Sequence, residues 1–164
     1  MIKMAVDQFI KIGDIKGESQ DDKHKEDIDV LAWSWGMSQS GTTHMGSGSG
    51  AGKVAVQDIS FTKQVDKSTP VLMQACSSGK HYGEAKLVVR KAGESPLEYV
   101  TITMTDVIIT SISGGGSGGD DTLTENVTLN FGAVNYDYQA QKKDGAKDGG
   151  PVKFGWDIAA NKKK

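Results

Sequence analysis

A single cysteine, Cys76, excludes an internal disulfide, so packing and hydrogen bonding must hold this chain together. No charge of one sign dominates: 19 Lys and Arg against 21 Asp and Glu leave a net charge of −2. Nothing in that balance calls for nucleic acid or an anionic membrane as a partner. Long apolar runs are missing as well; the longest extend for a few residues, far short of the ~20 that span a bilayer, so no membrane insertion is expected. Asp7 falls where a secretory leader would need its apolar stretch, and no signal peptide is visible. The expectation is a chain made in the cytoplasm which, if it leaves the cell, needs a dedicated machine to carry it.

Recognisable chemistry is equally scarce. His24, His44 and His81 have no Cys or His neighbours at ligand spacing, so no metal site is supported. No nucleophile–base set and no paired carboxylates can be assembled, and no cofactor motif survives inspection. A phosphate-binding loop around Gly52-Lys53 would need glycine where Ser47 stands and a hydroxyl residue where Val54 stands. Gly115-Gly116-Ser117-Gly118-Gly119-Asp120 starts like a calcium-binding nonapeptide, but Thr122 replaces its large apolar residue and the motif occurs once. The sequence does not read as an enzyme. Cys76 fits a small core residue on a helix better than a reactive thiol.

What the chain has in quantity is glycine, 21 residues, gathered at 46–52 and 114–119. The first cluster sits in an arm, Ser40, Gly41, Thr42, Thr43, His44, Met45, Gly46, Ser47, Gly48, Ser49, Gly50, Ala51, Gly52 and Lys53, between two apolar-patterned segments. Ordering such an arm costs roughly 1–2 kcal/mol of backbone entropy per residue, and it has almost no surface of its own to bury. Either it lies on a neighbouring molecule, with His44 and Met45 as its only sizeable contacts, or it is a flexible hairpin loop.

The rest alternates with period two and is rich in Val, Ile, Thr and aromatics, which predicts strands over Val6–Ile12, Asp27–Ser38, Val54–Val65, Ala85–Lys91, Tyr99–Ile112, Leu123–Tyr138 and Val152–Ile158. That succession indicates an antiparallel sandwich or barrel in one domain. The apolar phase slips after Met104 and near Gly132, which reads as β-bulges. One helix is expected, with Ser68-Thr69 capping before Pro70 at its first position, Leu72, Ala75 and Cys76 on one face and Gly79 ending it. Gly13–Lys25 reads as a solvated loop, and the lysines at 162–164 as a solvated tail. Ser34, Thr101, Thr103 and Thr105, with Thr128 and Asn130, would form hydrated, uncharged faces. Ile108 and Ile112 beside Val107 and Ile109 suggest burial on both sides, against another subunit or within an ordinary half-solvated sheet.

The segments MAVDQFIKIGDIKGES (4–19), VLAWSWGMSQSG (30–41), DISFTK (58–63), DKSTPVLMQACSSGKHY (66–82), LTENVTLNF (123–131) and DGAKDGGPVKFGW (144–156) resemble, in order and over nearly the whole chain, the haemolysin-coregulated protein (Hcp) family. These are the inner-tube subunits of bacterial type VI secretion systems. The resemblance implies a mostly β fold, an antiparallel β-barrel of two packed sheets with one main α-helix over residues 4–160, assembled as a hexameric ring. Residues 1–3 would be an N-terminal extension and 161–164 a basic tail. It further implies rings stacked into a tube, a contractile sheath around it, a spike-tip protein ahead of it and secreted effectors held in its channel. Export would need no signal peptide, because the tube itself is fired from the cytoplasm. In the family the loop at Ser40–Lys53 reaches the adjacent subunit, so an interface of at least the standard ~1,600 Å² is expected. Ser34, Thr101, Thr103 and Thr105 become candidate channel residues for effector contact. A phage-type tail-tube protein or a small-ligand binding β-barrel is the alternative.

Overall fold

The computed structural model describes residues 6–41, 52–92 and 96–164. Eleven strands and one helix follow in the order β1 (Val6–Ile12), β2 (Ile28–Asp29), β3 (Ala32–Ser34), β4 (Met37–Ser38), β5 (Ala55–Val56), β6 (Ile59–Gln64), α1 (Ser68–Ser78), β7 (His81–Lys91), β8 (Leu97–Gly115), β9 (Thr124–Tyr138), β10 (Val152–Asp157) and β11 (Lys162–Lys163). The fold is mostly β with one helix, as the alternation predicts.

Among the described residues every strand pairing is antiparallel, and β9 is the hub. One edge pairs with β8 over its length, while the other is shared between β6, opposite Thr124–Leu129, and β10, opposite Ala133–Tyr138. The sheet continues through β7 to β1 and β2. It closes on itself where Val30 N–H donates to the Gln8 carbonyl of β1 and Leu31 N–H to the Thr62 carbonyl of β6. Crossing between two sheet edges is why the single strand expected over Asp27–Ser38 is broken into three pieces. Closure removes the exposed edges that an open sheet would present.

The interior is filled by side chains. Ile10 and Ile12, Leu87, Ile102 and Met104, Leu129 and Val134 all have 0% exposure. Leu72 and Ala75 of α1 seal one side of this core, with Cys76 partly buried against it. The helix starts two residues before the expected position. Asp66 Oδ1 accepts from the Ser68 N–H at 2.8 Å, so an acidic side chain, and not Ser68 or Thr69, caps the first turn. It ends as predicted, at Gly79 with φ +67 and its N–H on the Ala75 carbonyl.

The apolar phase does slip where the sequence places it, but not by a bulge. Pairing keeps one register on both sides of the slip: Tyr82 with Val107 and Glu84 with Thr105 on one side, Thr105 with Ala133 and Val107 with Phe131 on the other. Gly83, Asp106 and Gly132 therefore face one another in a line across three strands, and all three strands change phase together there. Asp106 takes the irregular backbone, with φ +55. The true register shifts lie between Val89 and Arg90 and between Ile109 and Ser111. The latter turns Ile112 back toward the core, where it packs partly buried, so it needs no second subunit to cover it.

Two segments read as solvated are built into the fold. Loop 13–27 buries Ile15 and Ser19 and carries its own backbone bonds, Gly17 N–H to Glu26 O and Ser19 N–H to Asp27 O. The lysine tail pairs as β11 with Trp156 and Asp157 after a left-handed turn at Asn161.

Candidate functional site

The root of the glycine arm is built by two tryptophans. Trp33 Nε1 donates to Gln8 Oε1 at 2.8 Å and Trp35 Nε1 to the Gln57 carbonyl at 2.9 Å, with the Trp35 ring stacked on Tyr136. Beyond them Met37 and Ser38 pair with Val56 and Ala55, a two-stranded ribbon separate from the main sheet. Ser40 and Gly41 leave this ribbon and Gly52 and Lys53 return to it. A Cβ placed on Gly52 would lie 2.2 Å from Ser40 Oγ and 2.9 Å from Gln39 Oε1, so the two ends of the arm touch there and only glycine fits unchanged. Thr42, Thr43, His44, Met45, Gly46, Ser47, Gly48, Ser49, Gly50 and Ala51 lie outside the described residues. The sequence placed the arm between two strands, and its described ends do leave the barrel on a ribbon of their own.

Ser34 belongs to a wider polar surface. Register aligns Ser34 with Ser60, Thr128 and Ser111 across β3, β6, β9 and β8, and aligns Ala32 with Thr62, Asn126 and Ser113 in the adjoining row. These residues are half-buried or exposed, and none carries a formal charge. They are cross-linked: Ser60 Oγ and Thr128 Oγ1 lie 3.1 Å apart, and Thr62 Oγ1 donates to Asn126 Oδ1 at 2.6 Å. Asn130, beside them, donates to Asp58. Side chains that satisfy one another in pairs present a hydrated surface with little left to grip a partner strongly.

Thr101, Thr103 and Thr105 are in a different sector, on β8 before Asp106. They align with Val88 and Asp137, with Lys86 and Asn135, and with Glu84 and Ala133, so charges of both signs surround them. The structure does not bring them to Ser34. Ser60, Thr62 and Ser111 were the residues missed by sequence reasoning. Their alternation with Ile59 and Phe61 or with Ile112 is visible in the sequence, but only the β3–β6–β9–β8 pairing brings them to one surface with Ser34.

Loop 13–27 is fastened by charge. Arg90 donates to both carboxylate oxygens of Asp21, at 2.9 and 2.6 Å, and to Asp7 at 3.1 Å, while its guanidinium lies over the Phe9 ring. The hydrogen bonds from Arg90 outweigh burial and hold the Asp21 carboxyl down at about 2. The same bonds push the Arg90 guanidinium further up. His24 stacks on Phe9 with centroids 4.4 Å apart, its two ring nitrogens 3.0 Å from Asp27 and 2.7 Å from Glu98. Among the described residues no group of three or more His, Cys, Asp or Glu is placed to hold a metal, and no helix is long and apolar enough to cross a membrane.

The class these features define is a closed, side-chain-filled β-barrel with one helix, a separate ribbon that carries the two ends of the arm, and an uncharged polar sector. The family model for Hcp, described as a type VI secretion system effector, matches residues 9–138, and the chain belongs to that family. It is 70% identical to Protein hcp1 of Pseudomonas aeruginosa over 159 residues, covering 96% of this chain and 98% of that one. Among solved structures, Hcp1 from Salmonella typhimurium superposes with a TM-score of 0.82 at 43% identity, over 98% of this chain and all of that one. A type VI secretion system effector from Yersinia pestis gives a TM-score of 0.76 at 38% identity, covering 93% and 100%. The chain is a type VI secretion protein of the Hcp type.

Proposed function

We propose that this chain is the structural subunit of a type VI inner tube, in which six copies form a ring, rings stack, and the channel carries effectors until the tube is expelled. The observation that carries the reading is the arm. Its ends, Ser40–Gly41 and Gly52–Lys53, are held together on a ribbon outside the barrel; in this reading the arm they carry is the contact with the next copy, repeated around a closed ring. A filled interior argues against the small-ligand barrel, because Leu87, Ile102, Met104 and Leu129 occupy the space such a ligand would need.

Within the ring, Ser34 with Ser60 and Thr128 is the proposed cargo surface. Uncharged hydroxyls already paired with one another bind weakly, and weak contact suits cargo that is held and then released. The face of Thr101, Thr103 and Thr105 is the second proposed contact, set among charges. Sheath and spike-tip components are the proposed outer partners, and a route through the tube replaces a signal peptide.

Native mass spectrometry of the purified full chain, followed by negative-stain electron microscopy, tests this reading. A mass six times that of the chain and annular particles are expected. A monomeric mass at micromolar concentration, with no annuli, overturns it.

A further inference from the structure

We propose that the hollow between loop 13–27 and the outer face of β1 and β7 is a docking surface for an acidic polypeptide segment of a partner protein. This goes beyond ring formation and channel lining. The hollow holds about 450 Å³ and is lined by Lys11, Lys23, Lys25 and Lys86.

Lys11 and Lys86 are directly opposite in the β1–β7 register, so both ammonium groups rise from the same face. Like charges so placed destabilise a strand pair. Among the described residues none of the four lysines is paired with a carboxylate, although this chain pairs Lys16, Lys63 and Arg90 elsewhere. The local excess of positive charge stands out on a chain whose net charge is −2.

The surface is also prepared. Lys23 and Lys25 are carried by the loop that Arg90 fastens through Asp21 and His24 through Asp27 and Glu98, over a small apolar floor of Phe9 and Val88 outside the main core. Asp27 and Glu84 share the lining, and Asp27 is engaged by His24. A compact anion such as phosphate would sit close to both carboxylates. Carboxylates spaced along a polypeptide can meet the separated ammonium groups one by one, and the hollow is open enough to admit a chain. Exposed lysines each contribute little and are screened by salt, so the partner engages quickly and reversibly.

The test is fluorescence anisotropy with a fluorescein-labelled hepta-glutamate peptide and the full-length protein. Saturable binding at about 50 mM salt is expected, weakened roughly tenfold at about 200 mM. Lys11→Gln/Lys86→Gln and Lys23→Gln/Lys25→Gln should each weaken binding about tenfold, and Lys142→Gln/Lys143→Gln, on a different loop, by less than about twofold. The lysines replaced are exposed, so folding is expected to survive, and circular dichroism of each variant accompanies its titration. Absence of saturable binding, or equal losses from all three double variants, overturns the proposal. So does displacement of the peptide by inorganic tripolyphosphate or a DNA 20-mer at equal charge concentration, since that makes the hollow a general polyanion site.

Discussion

The Lys63 ammonium meets the Glu125 carboxylate inside the protein, with 0% and 2% of the two side chains exposed. The pair joins β6 to β9. Through the same atoms it also roots α1, because Thr69 Oγ1 lies 3.1 Å from Lys63 Nζ and 2.5 Å from Glu125 Oε1, and Asp66 Oδ1 accepts from Lys63 at 3.0 Å. Removing one member leaves a desolvated charge without its counterpart. Lys63→Met is expected to cost about 3–5 kcal/mol in urea unfolding, and Lys63→Met/Glu125→Leu less than Lys63→Met alone. A double variant as unstable as the sum of its singles would contradict this account.

Acid loosens loop 13–27 through Asp21. Asp21 has its carboxyl pulled down to about 2, chiefly by hydrogen bonds from Arg90. A depressed acid stabilises the fold fully above its unfolded value and loses that contribution as pH falls through the folded one. The window here is about pH 4 down to about pH 2. Amide protection in residues 13–27, taken relative to the intrinsic exchange rate at each pH, should fall across that window in the native protein. Asp21→Asn should give a loop that is less protected at neutral pH and whose protection changes little between those two values.

Much of the fold was legible because its strands alternate apolar and polar residues: Val6–Ile12 needed only period two, Leu123–Tyr138 needed period two with one slip near Gly132, and Gly79 ended the helix as its conformation demands. The misread features depend on partners distant in sequence. Asp66 caps the helix because Lys63 and Glu125 draw the local carboxylates and hydroxyls into one buried network. Loop 13–27 looks solvated by composition, yet Arg90, on a strand some seventy residues away, orders it. Ser34 reads as polar, but that Ser60 and then Thr128 follow it across the sheet comes from pairing among β3, β6 and β9. The same holds for the line of Gly83, Asp106 and Gly132, where single-strand reasoning gives bulges and three strands together give a shared change of phase.

Asp106 is the one residue of that line with a side chain and a left-handed backbone, φ +55, and its carboxylate meets His81 Nδ1 at 2.9 Å. Both groups are largely exposed, so that contact contributes little. Asp106→Gly should therefore be neutral or gain up to about 1 kcal/mol in thermal unfolding. Asp106→Val, a branched residue forced into the same conformation, should lose roughly 1–2 kcal/mol or more.

At the arm root, Gly52 touches Ser40 with no room for a side chain. Gly52→Val displaces the Ser40 and Gln39 side chains and crowds the Ser40 carbonyl, 3.1 Å from the first added carbon, while leaving the barrel core untouched. The expected result is a folded chain by circular dichroism that elutes with light scattering as smaller species than the parent. Gly41→Ala, where a Cβ meets nothing within 4 Å, should assemble normally.

The cargo surface can be separated from the rest by bulk alone. Ser34 is exposed and its row is uncharged, so Ser34→Trp should change chain stability by no more than about 0.5 kcal/mol. If its row faces the channel, six indoles would crowd one level of it, and the amount of effector co-purifying with assembled rings should fall severalfold while ring mass is unchanged. Thr103→Trp places the same indole in the sector of Lys86 and Asn135. A loss confined to Ser34→Trp assigns the channel to the uncharged sector; a loss confined to Thr103→Trp assigns it to the charged one and removes Ser34, Ser60 and Thr128 from cargo contact.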